Sequence, residues 1–184
     1  MIHFNKVSKK FGNKRVVLDD VSFMIEKGEF VFLIGPSGAG KTTLLRLLFR
    51  DMAPDSGSIT MESIDIAKIP KKKIPLLRRK LGIIFQDFKL LFDKTVGENV
   101  AVALEIQAKE DAEIQKKVKE VLALVGLKDK KDYFPLQLSA GEMQRVAIAR
   151  AIVGGPHVLL ADEPTGNLDP KTSEDIMSIL GQIN

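Results

Sequence analysis

The sequence predicts an α/β fold, and three observations carry that reading. The apolar run "EFVFLIG" (29–35) ends in a glycine-rich turn and is followed at once by the helical pattern "KTTLLRLLF" (41–49). A second apolar run, "HVLLAD" (157–162), ends in an acid. Between them, from about Val96 to Leu127, apolar residues recur at helical spacing around the polar middle "KEDAEIQKKVKEV". Continuous apolar strands that feed helices mark a buried, mostly parallel sheet.

The elements follow in chain order. Residues 2–7 and 16–34 alternate or run apolar, with Gly12-Asn13 and Lys27-Gly28 as turn signals, and read as strands. "EFVFLIG" is expected to be a buried strand. In the helix after it, Leu44, Leu45, Leu47 and Leu48 are expected to face the interior. "PDSGSITM" (54–61) reads as a turn and a short strand, and "LGIIFQ" (81–86) as another strand. After the helical stretch, "LSAGE" (138–142) opens a further helix. Its Val146, Ala147, Ile148, Ala151 and Ile152 are apolar, and its Gln144, Arg145 and Arg150 are polar. A last helix runs from about Pro170 to Ile183.

Composition narrows the function classes. The chain has 184 residues, enough for one substantial core. There is no Cys, which excludes disulfides, thiolate chemistry and cysteine metal sites. No run approaches the roughly 18 apolar residues of a membrane span, and "MIHFNKVSKK" has no signal-peptide core. The net charge of +4 permits contact with phosphates or anionic lipid. The lysine run "KIPKKKI" (68–74) reads as a solvated loop and helix start, or alternatively as a contact for acidic headgroups.

"GPSGAGKT" (35–42) fits G-x-x-x-x-G-K-[ST], after an expected strand and before an expected helix. Through Gly35, Pro36, Ser37, Gly38, Ala39 and Gly40 the backbone can turn tightly, so that its N–H groups surround phosphate oxygens. Lys41 supplies a charge for the β- and γ-phosphates, Thr42 a hydroxyl for Mg²⁺, and Thr43 a contact to the α-phosphate. "VLLADE" (158–163) supplies the complement. Asp162 at the strand end is placed to hold Mg²⁺ through water, and Glu163 to orient or deprotonate an attacking water. Together these point to a ligand with β- and γ-phosphates and Mg²⁺. The turn Ser139-Ala140-Gly141 at a helix mouth is a second place for an anion, because a helix start presents N–H groups and a positive dipole end. It also reads as an ordinary cap, with Ser139 capping and Glu142 completing a capping box.

With "LSAGE" added to the two motifs, the chain resembles an ABC-type ATPase subunit over essentially its whole length. Gln86 in "IIFQD" matches that family's glutamine loop, and "GNLD" (166–169) matches its D-loop. Phe11 stands where the family has an adenine-stacking aromatic residue, or is a buried strand-edge residue. The resemblance implies a P-loop NTPase of the ABC ATPase type. A core and an antiparallel β-subdomain would occupy 1–87 and 151–184, with a helical subdomain over 88–150. It further implies a homodimer in which the phosphate loop of one copy and Ser139 and Gly141 of the other hold one ATP. Gln86 would join Thr42 and Asp162 near Mg²⁺ and move with a membrane partner.

The stretch "FQDFKLLFDKTVGENVAVAL" (85–104) is similar to the bacterial cell-division branch of the family. That similarity implies an integral membrane subunit resembling FtsX, no nucleic acid, and a peripheral place on the cytoplasmic face of the bacterial inner membrane. Phe88, Leu90, Leu91 and Phe92 would form a partner groove, or pack the helical subdomain onto the core. The alternatives within the family are lipoprotein release and macrolide efflux. Outside them stands a nucleotide-gated dimerisation module with little hydrolysis. A DNA-repair ATPase would need a coiled-coil insertion for which the segment between Gln86 and Ser139 is too short. The family's switch histidine follows a strand beyond the last helix, and neither His3 nor His157 fits it. The expectation is therefore a chain truncated after "SILGQIN", with a core strand missing, which binds ATP and hydrolyses it poorly.

Overall fold

The computed structural model describes every residue except Asn13 and Lys14, together with the side chain of Arg15. The Asn13 half of the first turn signal therefore lies outside the described residues. The described chain forms two compact units, Met1–Leu77 with Asn184, and Arg78–Ile183.

In the first unit, β1 (Ile2–Phe11) pairs antiparallel with β2 (Arg15–Ile25) and with β3 (Ser56–Met61), which in turn pairs with β4 (Ile64–Asp65). The order is β2-β1-β3-β4. Alternation builds its buried face: Ile2 and Phe4 are buried while His3 and Asn5 are exposed. A bulge at Lys6, whose φ is +49°, shifts the register and returns Val7 to the same buried set. Phe4 stacks on Phe23 at 4.5 Å between ring centroids. Helix α1 (Lys41–Leu48) buries Leu47 and Leu48, whereas Leu44 and Leu45 are only partly covered.

In the second unit, β5 (Leu81–Ile84) and β6 (Val158–Ala161) pair in parallel. Around them lie α3 (Val96–Glu105), α4 (Asp111–Leu124), α5 (Ala140–Ile152) and α6 (Pro170–Ile183). Their buried faces share one apolar core that includes Ile84, Val100, Leu104, Val118, Leu122, Ile148 and Ile176. At the end of the first unit a short α2 (Ile74–Arg78) follows the lysine run, whose Lys71, Lys72 and Lys73 are solvent-exposed.

Two expectations are corrected. The apolar run 29–35 is not a buried strand: β2 ends at Ile25, and Phe30 through Ile34 are exposed, Ile34 by 94%. Apolar content favours burial, but a strand also needs a neighbour for its N–H and C=O groups. No described strand pairs with this run. The helical stretch 96–127 is two helices. The chain turns at Ala108, φ +56°, with the Lys109 N–H closing onto the Leu104 carbonyl.

Candidate functional site

The phosphate loop lies in the first unit. The Ala39 N–H closes a turn onto the Pro36 carbonyl at 3.2 Å. Gly38 and Gly40 have φ of +79° and +94°, values that L side chains rarely adopt. A Cβ on Gly40 would also lie 2.9 Å from Leu18 Cδ2 and 3.1 Å from the Val17 carbonyl. Gly40 is the N-cap of α1, and no described side chain caps that helix. Lys41 at its first position folds back and donates from Nζ to the carbonyls of Gly35 (2.9 Å) and Pro36 (3.1 Å). The lysine charge is thus held at the rim of the loop whose backbone would take the phosphates, with Thr42 and Thr43 next in the same helical turn. Phe11 ends β1 and is 38% exposed, with Lys9 Nζ 5.8 Å from its ring centroid, so it is not a buried strand-edge residue.

The second unit gathers Gln86, Asp162 and Glu163. Parallel pairing of β5 and β6 brings the strand ends side by side, and the Asp162 N–H donates to the Ile84 carbonyl at 3.0 Å. Glu163 follows with φ +49°, left-handed and unusual for a residue other than glycine. Its carbonyl accepts from the Gly166 N–H at 3.0 Å. Asn167 Nδ2 donates to the Gln86 carbonyl at 3.0 Å, which ties the "GNLD" turn to the end of β5. Among the described residues no cluster of three His, Asp or Glu side chains could cage a metal. The hydroxyl of Thr42, the amide oxygen of Gln86 and the carboxylate of Asp162 are hard oxygen donors. Each is a donor of the kind Mg²⁺ takes, since that ion uses few protein ligands and completes its shell with phosphate and water.

Ser139 is the N-cap of α5 and forms the full capping box. Its Oγ accepts from the Glu142 N–H at 3.3 Å, and its own N–H donates to Glu142 Oε2 at 2.9 Å. Lys130 Nζ bridges to Glu142 Oε1 at 2.6 Å. The Lys130 bond, then the Ser139 N–H, hold the Glu142 carboxyl below its ordinary value. Gly141 is buried, and a Cβ there would meet Thr172 Cγ2 of α6 at 2.5 Å. Close helix packing alone therefore requires glycine. Ser139, Gly141, Glu142, Arg145, Thr172 and Asp175 face a cleft of about 380 Å³.

Three functional-looking residues escape a sequence reading. Gln144, read as a polar position, is 1% exposed, and its Nε2 donates to the Pro164 carbonyl at 2.6 Å. Arg150 donates from both terminal nitrogens to the carbonyls of Phe88 (2.7 Å) and Lys89 (2.6 Å), two residues with left-handed φ. Burial lowers the pKa of its guanidinium. Asn99 is fully buried and bonds to the backbone of Leu91, Lys94 and Thr95. These bonds shape the 88–95 loop. Leu90 is buried, Phe88 packs against the core, and Leu91 and Phe92 are exposed. The packing reading thus holds for Phe88 and Leu90, while Leu91 and Phe92 are left facing solvent.

A model of the ABC transporter family matches residues 18–166. Over its whole length the chain is 51% identical to the cell division ATP-binding protein FtsE of Bacillus subtilis and covers 81% of it. It is 48% identical to the protein of that name from Escherichia coli and covers 83% of it. Among solved structures it matches the dimeric post-hydrolysis state of the ATP-binding cassette MJ0796 bound to ADP and Pi. There the TM-score is 0.89 and the identity 35%, over 100% of this chain and 82% of that one. It also matches cbiO1 from Clostridium perfringens, part of the ABC transporter complex cbiONQ. There the TM-score is 0.91 and the identity 31%, over 99% of this chain and 72% of that one.

Proposed function

This chain belongs to the ABC transporter family as an ATP-hydrolysing subunit, and we propose that it works as a Mg²⁺-dependent homodimer driving an FtsX-like membrane subunit in bacterial cell division. One observation carries the reading: the chain has two helix mouths suited to phosphate, α1 in one compact unit and α5 in the other. A single nucleotide needs one, so the second is explained by a second copy. In a head-to-tail pair the loop 35–42 and Lys41 of one copy bind the phosphates, and Ser139 of the other meets the γ-phosphate from across the interface. Similarity to cell-division ATP-binding proteins supports the process, and a solved dimeric cassette supports the pairing. No described helix is long and apolar enough to cross a membrane. The proposed place is peripheral, at the cytoplasmic face of the inner membrane beside the integral subunit.

In this reading Thr42 and Gln86, and Asp162 through water, would hold Mg²⁺, which would neutralise charge on the phosphates. Glu163 accepts or orients the proton of the attacking water. Phe11 stacks on adenine. The test is ATP hydrolysis against protein concentration, with Glu163→Gln as control. The expected result is a rate rising faster than linearly with concentration. In the control it should fall about 100- to 1,000-fold with ATP binding retained. Linear scaling would overturn the shared site, and an active Glu163→Gln variant would overturn the role of Glu163.

A further inference from the structure

We propose that Gln144 is a positioning residue for hydrolysis, which ties the helix of the signature turn to the general base of the same chain; this rests on the reading of Glu163 above. Gln144 lies on α5 one turn after the Ser139 cap and is buried, with 1% exposure. Its Nε2 donates at 2.6 Å to the carbonyl of Pro164, the residue after Glu163. Its Oε1 is also buried and has no hydrogen-bond partner among the described residues. A buried amide half of whose capacity goes unmet is a poor choice for stability, since an unmet acceptor costs about 1–3 kcal/mol. An apolar side chain of the same shape would avoid that cost. The bond that the amide does make falls on a backbone that needs holding. Glu163 has φ +49°, a strained conformation that persists only where surrounding contacts over-determine it.

Two hydrogen bonds fall on the backbone carbonyls of Glu163 and Pro164, where the chain leaves this turn. They are the Gly166 N–H on the Glu163 carbonyl and Gln144 Nε2 on the Pro164 carbonyl. The first is local to the turn, and the second comes from α5. Gln144 therefore fixes the direction in which the Glu163 carboxylate leaves the strand. A shift of α5, at whose mouth Ser139 sits, would reach the Pro164 carbonyl directly through this side chain. The consequence is a split. Binding depends on the loop 35–42, in the other compact unit, and the geometry of proton transfer depends on Gln144.

The test measures kcat and KM for ATP in the full chain for Gln144→Met, which keeps length and volume, and Gln144→Asn, which keeps the amide but is one methylene too short. Val146→Ala on the same helix, fully buried and apolar, is the packing control. For both Gln144 variants kcat should fall about 10- to 100-fold, the scale of a misplaced catalytic group. KM should stay within about twofold, and Tm of Gln144→Met should lie close to the parent, because an orphaned acceptor is removed along with the bond. Val146→Ala should lower Tm with kcat little changed. A kcat for Gln144→Met within twofold of the parent would overturn the proposal, as would a fall in kcat matched by Val146→Ala at equal loss of Tm. Glu163→Gln measured alongside separates the two readings. If it is inactive while Gln144→Met is fully active, only the positioning role fails. If Glu163→Gln is fully active, both fail.

Discussion

The start of α1 is made by a left-handed glycine, has no described side-chain cap, and carries a lysine at its first position. The start of α5 has a serine cap, a glutamate completing the capping box and a lysine bridging that glutamate. Both ends present backbone N–H groups and a positive dipole. In α1 the chain leaves that potential for a ligand, and the loop before it gains little from its own contacts. In α5 the chain has already answered part of the demand internally, and an acid stands where an anion would approach. The first end is left without a described side-chain cap, and the second is closed by its own capping box.

That contrast predicts opposite costs for changes at the two ends. The largest effect should come from Lys41→Met. Among the described residues its Nζ hydrogen-bonds only to the carbonyls of Gly35 and Pro36 in an exposed loop, so the urea midpoint should barely move. ATP affinity, measured by titration calorimetry, should fall about 100-fold, the scale of losing a charge that faces phosphate. A variant that binds ATP as the parent does would remove the distinction between the two helix ends. Ser139→Ala should do the reverse. Losing the cap should cost about 1 kcal/mol in urea unfolding, with a smaller effect on ATP affinity than Lys41→Met. Equal stability would mean that the capping box is not what holds α5.

The same contrast explains what the sequence made legible. The motif 35–42, the acids at 162 and 163 and the capping pair Ser139 and Glu142 are local patterns: α1 follows the motif as expected though no described strand runs into it, the acids follow β6, and the pair opens α5. The run 29–35 is apolar yet exposed, because apolar content reports a wish for burial and not the presence of a neighbour. Gln144, Arg150 and Asn99 were missed for a related reason. Each is polar on a helix, which reads as a solvated face, yet each finds a backbone carbonyl well away in sequence or in a tight loop. Nothing periodic announces a buried polar side chain, because its partner is set by tertiary packing.

The smallest expected effect sharpens the comparison at its acid. Lys130 and the Ser139 N–H hold the Glu142 carboxyl below its ordinary value of 4.5. A carboxyl depressed in the folded state contributes stability above its unfolded pKa and loses it as pH falls through the folded value. Glu142→Gln should therefore be less stable than the parent at pH 6, by under about 1 kcal/mol because the pair is partly exposed. The difference should shrink as pH drops below 4.5 and vanish once the parent's carboxyl is protonated. Urea midpoints of the two proteins at pH 6 and pH 3 measure it. A gap that persists at pH 3 would mean that Glu142 acts through its shape and hydrogen bonds, which glutamine at that position partly keeps. The charge at the mouth of α5 would then be incidental to its stability. A gap that closes assigns the charge a structural task, and makes Lys130 the group that holds that charge at the start of α5.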